Sequence, residues 1–131
     1  MHFSISFLSA LGMAALTLSS AQAEDAMLSG ADMQARIVGN TMVGIYDDAG
    51  GQWREYYDPS GEIRGTDEDH GAYSARYEIR QDFMCFDYPW DGADWCSVIS
   101  IDGDNLTFYK DGKPVTTIRN TQLLPGNPHN P

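Results

Sequence analysis

Beyond Gly39 the chain consists of short runs in which apolar and polar residues alternate, separated by turn-forming residues. This pattern is typical of antiparallel β-strands that place one face in a core. It predicts eight strands, over residues 41–46, 52–57, 62–65, 72–79, 83–88, 94–101, 106–110 and 113–119. Because no crossover helix separates the strands, we expect an all-β fold, a small eight-stranded antiparallel meander barrel, with a two-sheet sandwich as the alternative.

A short helix is predicted before the strands. Ser29 and Asp32 have the S-x-x-D spacing of a capping box, and Gly39 suits the position that follows a helix end. The pattern therefore predicts one N-terminal helix over residues 30–38. A helix of this length is unstable alone, so Met33 and Ile37 are expected to pack against the barrel.

The last four predicted strands can be aligned through their turns. A four-residue turn over residues 89–92 places Cys85 directly opposite Cys96, so the hairpin and a disulfide between these cysteines predict each other. The next two turns pair Ile99 with Phe108 and Phe108 with Val115. One face of the four strands, which we interpret as the interior, then collects the apolar residues Met84, Phe86, Trp95, Ile99, Ile101, Leu106, Phe108 and Val115.

The two ends of the chain differ from the predicted barrel. Residues 1–23 contain no Lys, Arg, Asp or Glu and carry an apolar run followed by Ala21-Gln22-Ala23, which predicts a secretory signal peptide. A signal anchor is the alternative, but the run is shorter than the ~20 residues that span a bilayer. Residues 24–122 then form the barrel domain, and residues 123–131 are expected to be an irregular tail because they are rich in Pro and Asn.

Export predicts a secreted or periplasmic location. Such compartments are oxidising, which favours a Cys85–Cys96 disulfide over the alternative of two buried thiols. The chain has 19 acidic and 8 basic residues and a formal net charge of -11, which would repel nucleic acids. We therefore expect no nucleic-acid partner and no membrane span after removal of the signal peptide.

Motifs for catalysis and cofactor binding are absent from the sequence. It contains no G-x-S-x-G, H-E-x-x-H, C-x-x-C or phosphate-binding loop, so we expect a protein that is not an enzyme and uses no cofactor. A hydrolase with paired carboxylates is the alternative. The abundance of acidic residues leaves this alternative open without supporting it.

Two segments contain candidate binding residues. Trp90 lies at the tip of the hairpin that the disulfide would hold, where it could anchor a partner, stack on a sugar, or fold back to cap the barrel. The loop over residues 66–70 contains Asp67, Asp69 and His70, and carboxylates of this kind can bind calcium. Because the loop lacks the spacing of a calcium-binding loop, we interpret it as a solvated surface and predict no metal.

Three short motifs resemble those of a known class of proteins. They are Gly39-Asn40-Thr41 with Gly44 close behind, Tyr57-Asp58-Pro59-Ser60-Gly61, and Phe83-Met84-Cys85-Phe86 with a second cysteine downstream. Together they resemble small exported proteobacterial proteins of a domain family of unknown function. That resemblance implies an exported β-rich domain with no catalytic residues to transfer. Ser74-Ala75-Arg76-Tyr77 is also similar to part of a loop in periplasmic lysozyme inhibitors, which are small acidic β-barrels.

These observations predict a secreted or periplasmic protein that binds an unknown ligand without catalysis. Its candidate binding residues are Trp90, Asp67, Asp69 and His70. The alternative is an inhibitor or partner of a basic envelope protein, such as a cell-wall hydrolase. The net charge of -11 would accelerate association with such a positively charged partner.

Overall fold

A computed structural model describes residues 26–46, 50–92 and 94–129, and the predicted signal peptide over residues 1–23 lies outside them. Within the described residues there is one helix, α1 (Gly30–Arg36). The strands are β1 (Ala26–Met27), β2 (Asn40–Tyr46), β3 (Gln52–Tyr57), β4 (Glu62–Asp67), β5 (Gly71–Arg80), β6 (Phe83–Asp87), β7 (Trp95–Asp102), β8 (Asn105–Lys110) and β9 (Lys113–Pro125).

Strands β2 to β9 form a closed barrel. Each strand pairs antiparallel with the next in sequence, and β9 returns to pair with β2. The predicted eight-stranded meander is therefore confirmed, and the sandwich alternative is wrong. Strand β1, which the sequence pattern does not predict, extends the sheet beside β7 by pairing Ala26 with Ile101.

The predicted hairpin around the disulfide is confirmed. Cys85 lies opposite Cys96, and their sulfur atoms are bonded at 2.00 Å. The next hairpin also has the predicted register, since Ile99 faces Phe108. A two-residue turn, 103–104, sets the second register, whereas residues 88–94 connect the strands of the first hairpin, which the disulfide holds in register.

Two expectations about β9 are wrong. A register shift between Phe108 and Tyr109 makes Phe108 face Thr116, and Val115, expected in the interior, is 48% exposed. The extra residue of a β-bulge moves the following side chains to the opposite face. In addition, β9 continues to Pro125, which pairs with Asn40, so residues 123–125 belong to the barrel instead of an irregular tail. Pairing with β2 provides hydrogen-bond partners for the backbone of these residues, and this outweighs the preference of their composition for irregular structure.

The core fills the interior of the barrel. Of the predicted interior row, Trp95 and Ile101 are only partly buried. The buried members of the row are Met84, Phe86, Ile99, Leu106 and Phe108. The remaining buried apolar side chains of β2 to β9 include Met42, Trp53, Tyr57, Ile63, Ala75 and Ile118.

The segment around α1 covers one end of the barrel. The predicted capping box is confirmed, since Asp32 N donates to Ser29 Oγ at 3.1 Å and Ser29 N donates to Asp32 Oδ2 at 3.0 Å. Met33 and Ile37 are fully buried, as expected. The backbone N–H of Gly39 donates to the carbonyl of Tyr57 at 2.7 Å, which ties the helix to the end of β3. No helix in the described part of the chain is long and apolar enough to cross a membrane.

Candidate functional site

A cavity of about 510 Å³ lies at the end of the barrel opposite α1. The β2–β3, β4–β5, β6–β7 and β8–β9 connections meet at this end, because alternate loops of a meander lie on the same side. The volume is within the range of small-molecule sites, which are mostly apolar and contain a few polar groups. The aromatic residues of its wall are Tyr46, Trp53, Phe86, Tyr88, Trp90, Trp95 and Phe108, together with the imidazole of His70.

Trp90 belongs to a column of stacked rings at the cavity mouth. Its indole stacks on His70 with ring centroids 3.7 Å apart, and on Tyr88 with centroids 5.1 Å apart. Tyr88 in turn stacks on the buried ring of Phe86 at 5.7 Å. Trp90 nevertheless remains 41% exposed. The side chain therefore covers part of the barrel end and also presents an aromatic surface to solvent.

The structure brings three of the four predicted binding residues together. His70 Nδ1 lies 3.0 Å from both carboxylate oxygens of Asp67, and the His70 ring stacks on Trp90. Asp67 also accepts the backbone N–H of Asp69 at 2.9 Å, which fixes the turn. The Asp69 residue itself is exposed and does not line the cavity. Among the described residues, no group of three His, Cys, Asp or Glu residues is placed to hold a metal ion.

A fully buried carboxylate, Glu55 on β3, lies beside the cavity wall. Its Oε2 accepts the hydroxyl of Tyr57 at 2.6 Å, and its Oε1 accepts the hydroxyls of Tyr73 at 2.7 Å and Tyr88 at 2.8 Å. Burial raises the pKa of Glu55, while the hydroxyl donors oppose that rise. Burial, followed by the charge of Glu55, raises the pKa of Tyr73 and Tyr88, so both phenols stay protonated as donors.

Gly65 makes the contact between Glu55 and Tyr73 possible. It pairs with Glu55 on one side and with Tyr73 on the other, so the three residues form a row across β3, β4 and β5. A Cβ at Gly65 would lie 2.4 Å from the Tyr73 ring. The absence of a side chain therefore leaves the space through which Tyr73 reaches the carboxylate.

Trp53 connects this polar cluster with the cavity. It lines the cavity and is buried, and its indole N–H helps to lower the pKa of Glu55. The Nε1 atom makes no hydrogen bond of ordinary geometry with any described residue. The indole is thus close enough to influence Glu55 electrostatically and still has an unused donor.

The Glu55 cluster is not among the sites that the sequence predicts. A signal for it exists, because Trp53, Glu55 and Tyr57 occupy alternate positions of one strand, and two large aromatic residues flanking an acid place that acid on the inward face. The tyrosine partners Tyr73 and Tyr88 come from other strands. Their convergence depends on the closed barrel and cannot be read from local sequence.

No protein-family model, curated protein or solved structure matches this chain. The fold and site define a structural class, a small disulfide-bonded β-barrel with an aromatic cavity at one end. Function is therefore inferred from the cavity itself.

Proposed function

We propose that this chain is an exported, non-enzymatic binding protein that takes a small, partly apolar ligand into the barrel cavity. The observation that carries the proposal is the aromatic cavity of about 510 Å³, which lies at the end of the barrel opposite the helix. Burial of an apolar ligand against these rings supplies affinity, and the few polar groups at the mouth supply orientation.

The Cys85–Cys96 disulfide supports both export and binding. Disulfides persist mainly in oxidising compartments, in agreement with the signal peptide predicted over residues 1–23. The bond also closes the hairpin that carries Tyr88 and Trp90, two residues of the cavity wall. A covalently closed hairpin keeps these rings in place before the ligand arrives, which lowers the entropic cost of binding.

The environment of Glu55 supports binding over catalysis. A general base must reach the proton that it removes from a substrate. Glu55 is fully buried, does not line the cavity, and already accepts three tyrosine hydroxyls. We therefore assign it the role of fixing Tyr88 in the cavity wall and Tyr57 and Tyr73 behind that wall.

The test measures binding of an uncharged fluorescent probe, N-phenyl-1-naphthylamine, to the mature domain. Thr116→Trp places a large ring in the cavity, and Thr117→Trp is the matched control, because Thr117 does not line the cavity. We expect saturable binding that Thr116→Trp weakens by about tenfold or more, while Thr117→Trp leaves it unchanged. No saturable binding, or equal binding by both variants, would contradict the proposal.

A second candidate function is interaction with a basic envelope protein. The exposed ring of Trp90 supports it, since aromatic side chains of this kind form binding hot spots and the loop beside it is acidic. The test is a pull-down from envelope extract at low and high salt. A protein partner that is no longer captured at high salt, and no longer captured by Trp90→Ala, would support this candidate. Capture that is unchanged by high salt and by Trp90→Ala would contradict it.

A further inference from the structure

The cavity wall is rich in the rings that bind cations best. A cation within about 6 Å of a ring centroid is attracted to its π-face, and Trp is the strongest partner. Trp53 and Trp95 line the cavity together with Tyr46, whereas Trp90 and Tyr88 are each stacked between two other rings of the column. Quaternary ammonium groups are commonly recognised by several aromatic rings of this kind around one space.

The rim adds a carboxylate that is fixed next to one of these rings. Trp95 Nε1 donates a hydrogen bond to Asp91 Oδ2 at 3.0 Å, and both residues line the cavity. Asp94 supplies a second carboxylate to the lining and also interacts with Arg80. Lys110 contributes a positive charge to the lining, and like Asp94 it is exposed.

Acidic residues near Tyr46 add to the negative charge of Asp91 and Asp94. Tyr46 lines the cavity, and its pKa is raised first by burial and then by the charges of Glu55, Asp67 and Asp69. A negative field of this kind favours a bound cation and disfavours an anion. The formal net charge of -11 for the whole chain extends the same preference to the approach of the ligand.

Resting on the proposed binding function, we infer that the ligand is an organic cation, an ammonium-type group attached to an aromatic or aliphatic body. The apolar body packs against the cavity rings, and the cationic group lies at the mouth between ring faces and the Asp91 carboxylate. Neutral apolar molecules would gain the packing against the rings without the attraction of a charge to the ring faces and to Asp91. Anions would meet repulsion from the rim.

The experiment compares three ligands of similar size that differ in charge: phenyltrimethylammonium, tert-butylbenzene and benzenesulfonate. Each competes with N-phenyl-1-naphthylamine for the mature domain at low salt. We expect phenyltrimethylammonium to compete about tenfold more tightly than benzenesulfonate, and tert-butylbenzene to compete more weakly than the cation. High salt should reduce the difference in affinity between phenyltrimethylammonium and benzenesulfonate.

Two variants test the assigned carboxylate. Asp91→Asn removes the charge but keeps an oxygen that can accept from Trp95, and we expect it to weaken phenyltrimethylammonium about threefold or more without affecting tert-butylbenzene. Asp111→Asn is the control, because Asp111 lies outside the cavity lining and Asn tolerates its positive φ of 52°.

The outcomes separate this inference from the proposed function. Equal competition by the three ligands, tighter competition by the sulfonate, or no competition by the cation while the probe still binds would overturn the cationic ligand and leave the binding function standing. Absence of probe binding would overturn the binding function and the inference together.

Discussion

Gly65→Ala is the substitution with the most specific structural consequence. The new Cβ would lie 2.4 Å from the Cε2 and Cζ atoms of Tyr73 and 2.6 Å from its hydroxyl oxygen. Carbon atoms pack at about 3.5–4.0 Å, so the ring must move by about 1 Å or more. The Tyr73 hydroxyl then loses its 2.7 Å hydrogen bond to Glu55.

The expected loss of stability follows from three contributions. Overpacking costs about 1–3 kcal/mol. Loss of the hydrogen bond to the buried Glu55 side chain costs about 1–3 kcal/mol. The smaller conformational freedom of alanine in the unfolded chain offsets about 0.4–1 kcal/mol. We therefore expect Gly65→Ala to lower the free energy of unfolding by about 2–5 kcal/mol.

Urea denaturation of the mature domain measures this change. Gly92→Ala is the matched control, because a Cβ at Gly92 meets no heavy atom within 4 Å, and its effect should stay within about 0.5 kcal/mol. In a Tyr73→Ala background the ring is absent, so Gly65→Ala should cost much less than in the wild type. A loss below about 0.5 kcal/mol in the wild type, or an equal loss in both backgrounds, would refute the reasoning.

Three further predictions concern the core, the disulfide and pH. Phe108→Ala should cost about 3–5 kcal/mol in denaturant melts, whereas Val115→Ala, at an exposed position, should change stability by less than about 0.5 kcal/mol; similar losses would contradict the bulge. Replacing Cys85 and Cys96 together by Ser should cost about 3 kcal/mol in the same assay. Because the pKa of Glu55 is raised in the folded state, its stabilising contribution is present at low pH and is lost as the pH rises above 4.5, the ordinary value, toward the folded pKa. Thermal melts should therefore show the melting temperature of Glu55→Gln rising relative to that of the wild type over this pH range. A difference in melting temperature that does not change with pH would contradict this prediction.

Local sequence was sufficient for the hairpins and insufficient for β9. The turn over residues 89–92 and the Cys85–Cys96 pair constrain one hairpin within a few residues of each other, so its register could be predicted. The position of Val115 depends on a bulge in the pairing of β8 with β9. One extra residue moves a side chain to the opposite face of a strand, and no strong change in the sequence composition marks such a bulge. The strand at residues 123–125 depends on a partner more than 80 residues away in sequence, near Asn40.

The candidate site was predictable in part for the same reason. Trp90 and His70 could each be identified as a candidate binding residue from the sequence of its own loop. Their stacking could not be predicted, because it requires the two loops to meet at one end of the barrel. Glu55 has an inward position in its strand, yet its partners Tyr73 and Tyr88 are 18 and 33 residues away. Convergence of this kind is a property of the closed barrel, and strand pattern alone does not encode it.

The pairing of β2 with β9 also has a consequence for the kinetics of folding. Asn40 pairs with Pro125 and Tyr46 with Ile118, so the first and last strands of the barrel must meet before it is complete. Proteins dominated by such distant pairings refold in roughly milliseconds to seconds, more slowly than helical proteins of similar length. Until the two strands join, both present unpaired backbone edges to other molecules. Refolding yield should therefore fall as protein concentration rises, because intermolecular pairing of these edges competes with ring closure.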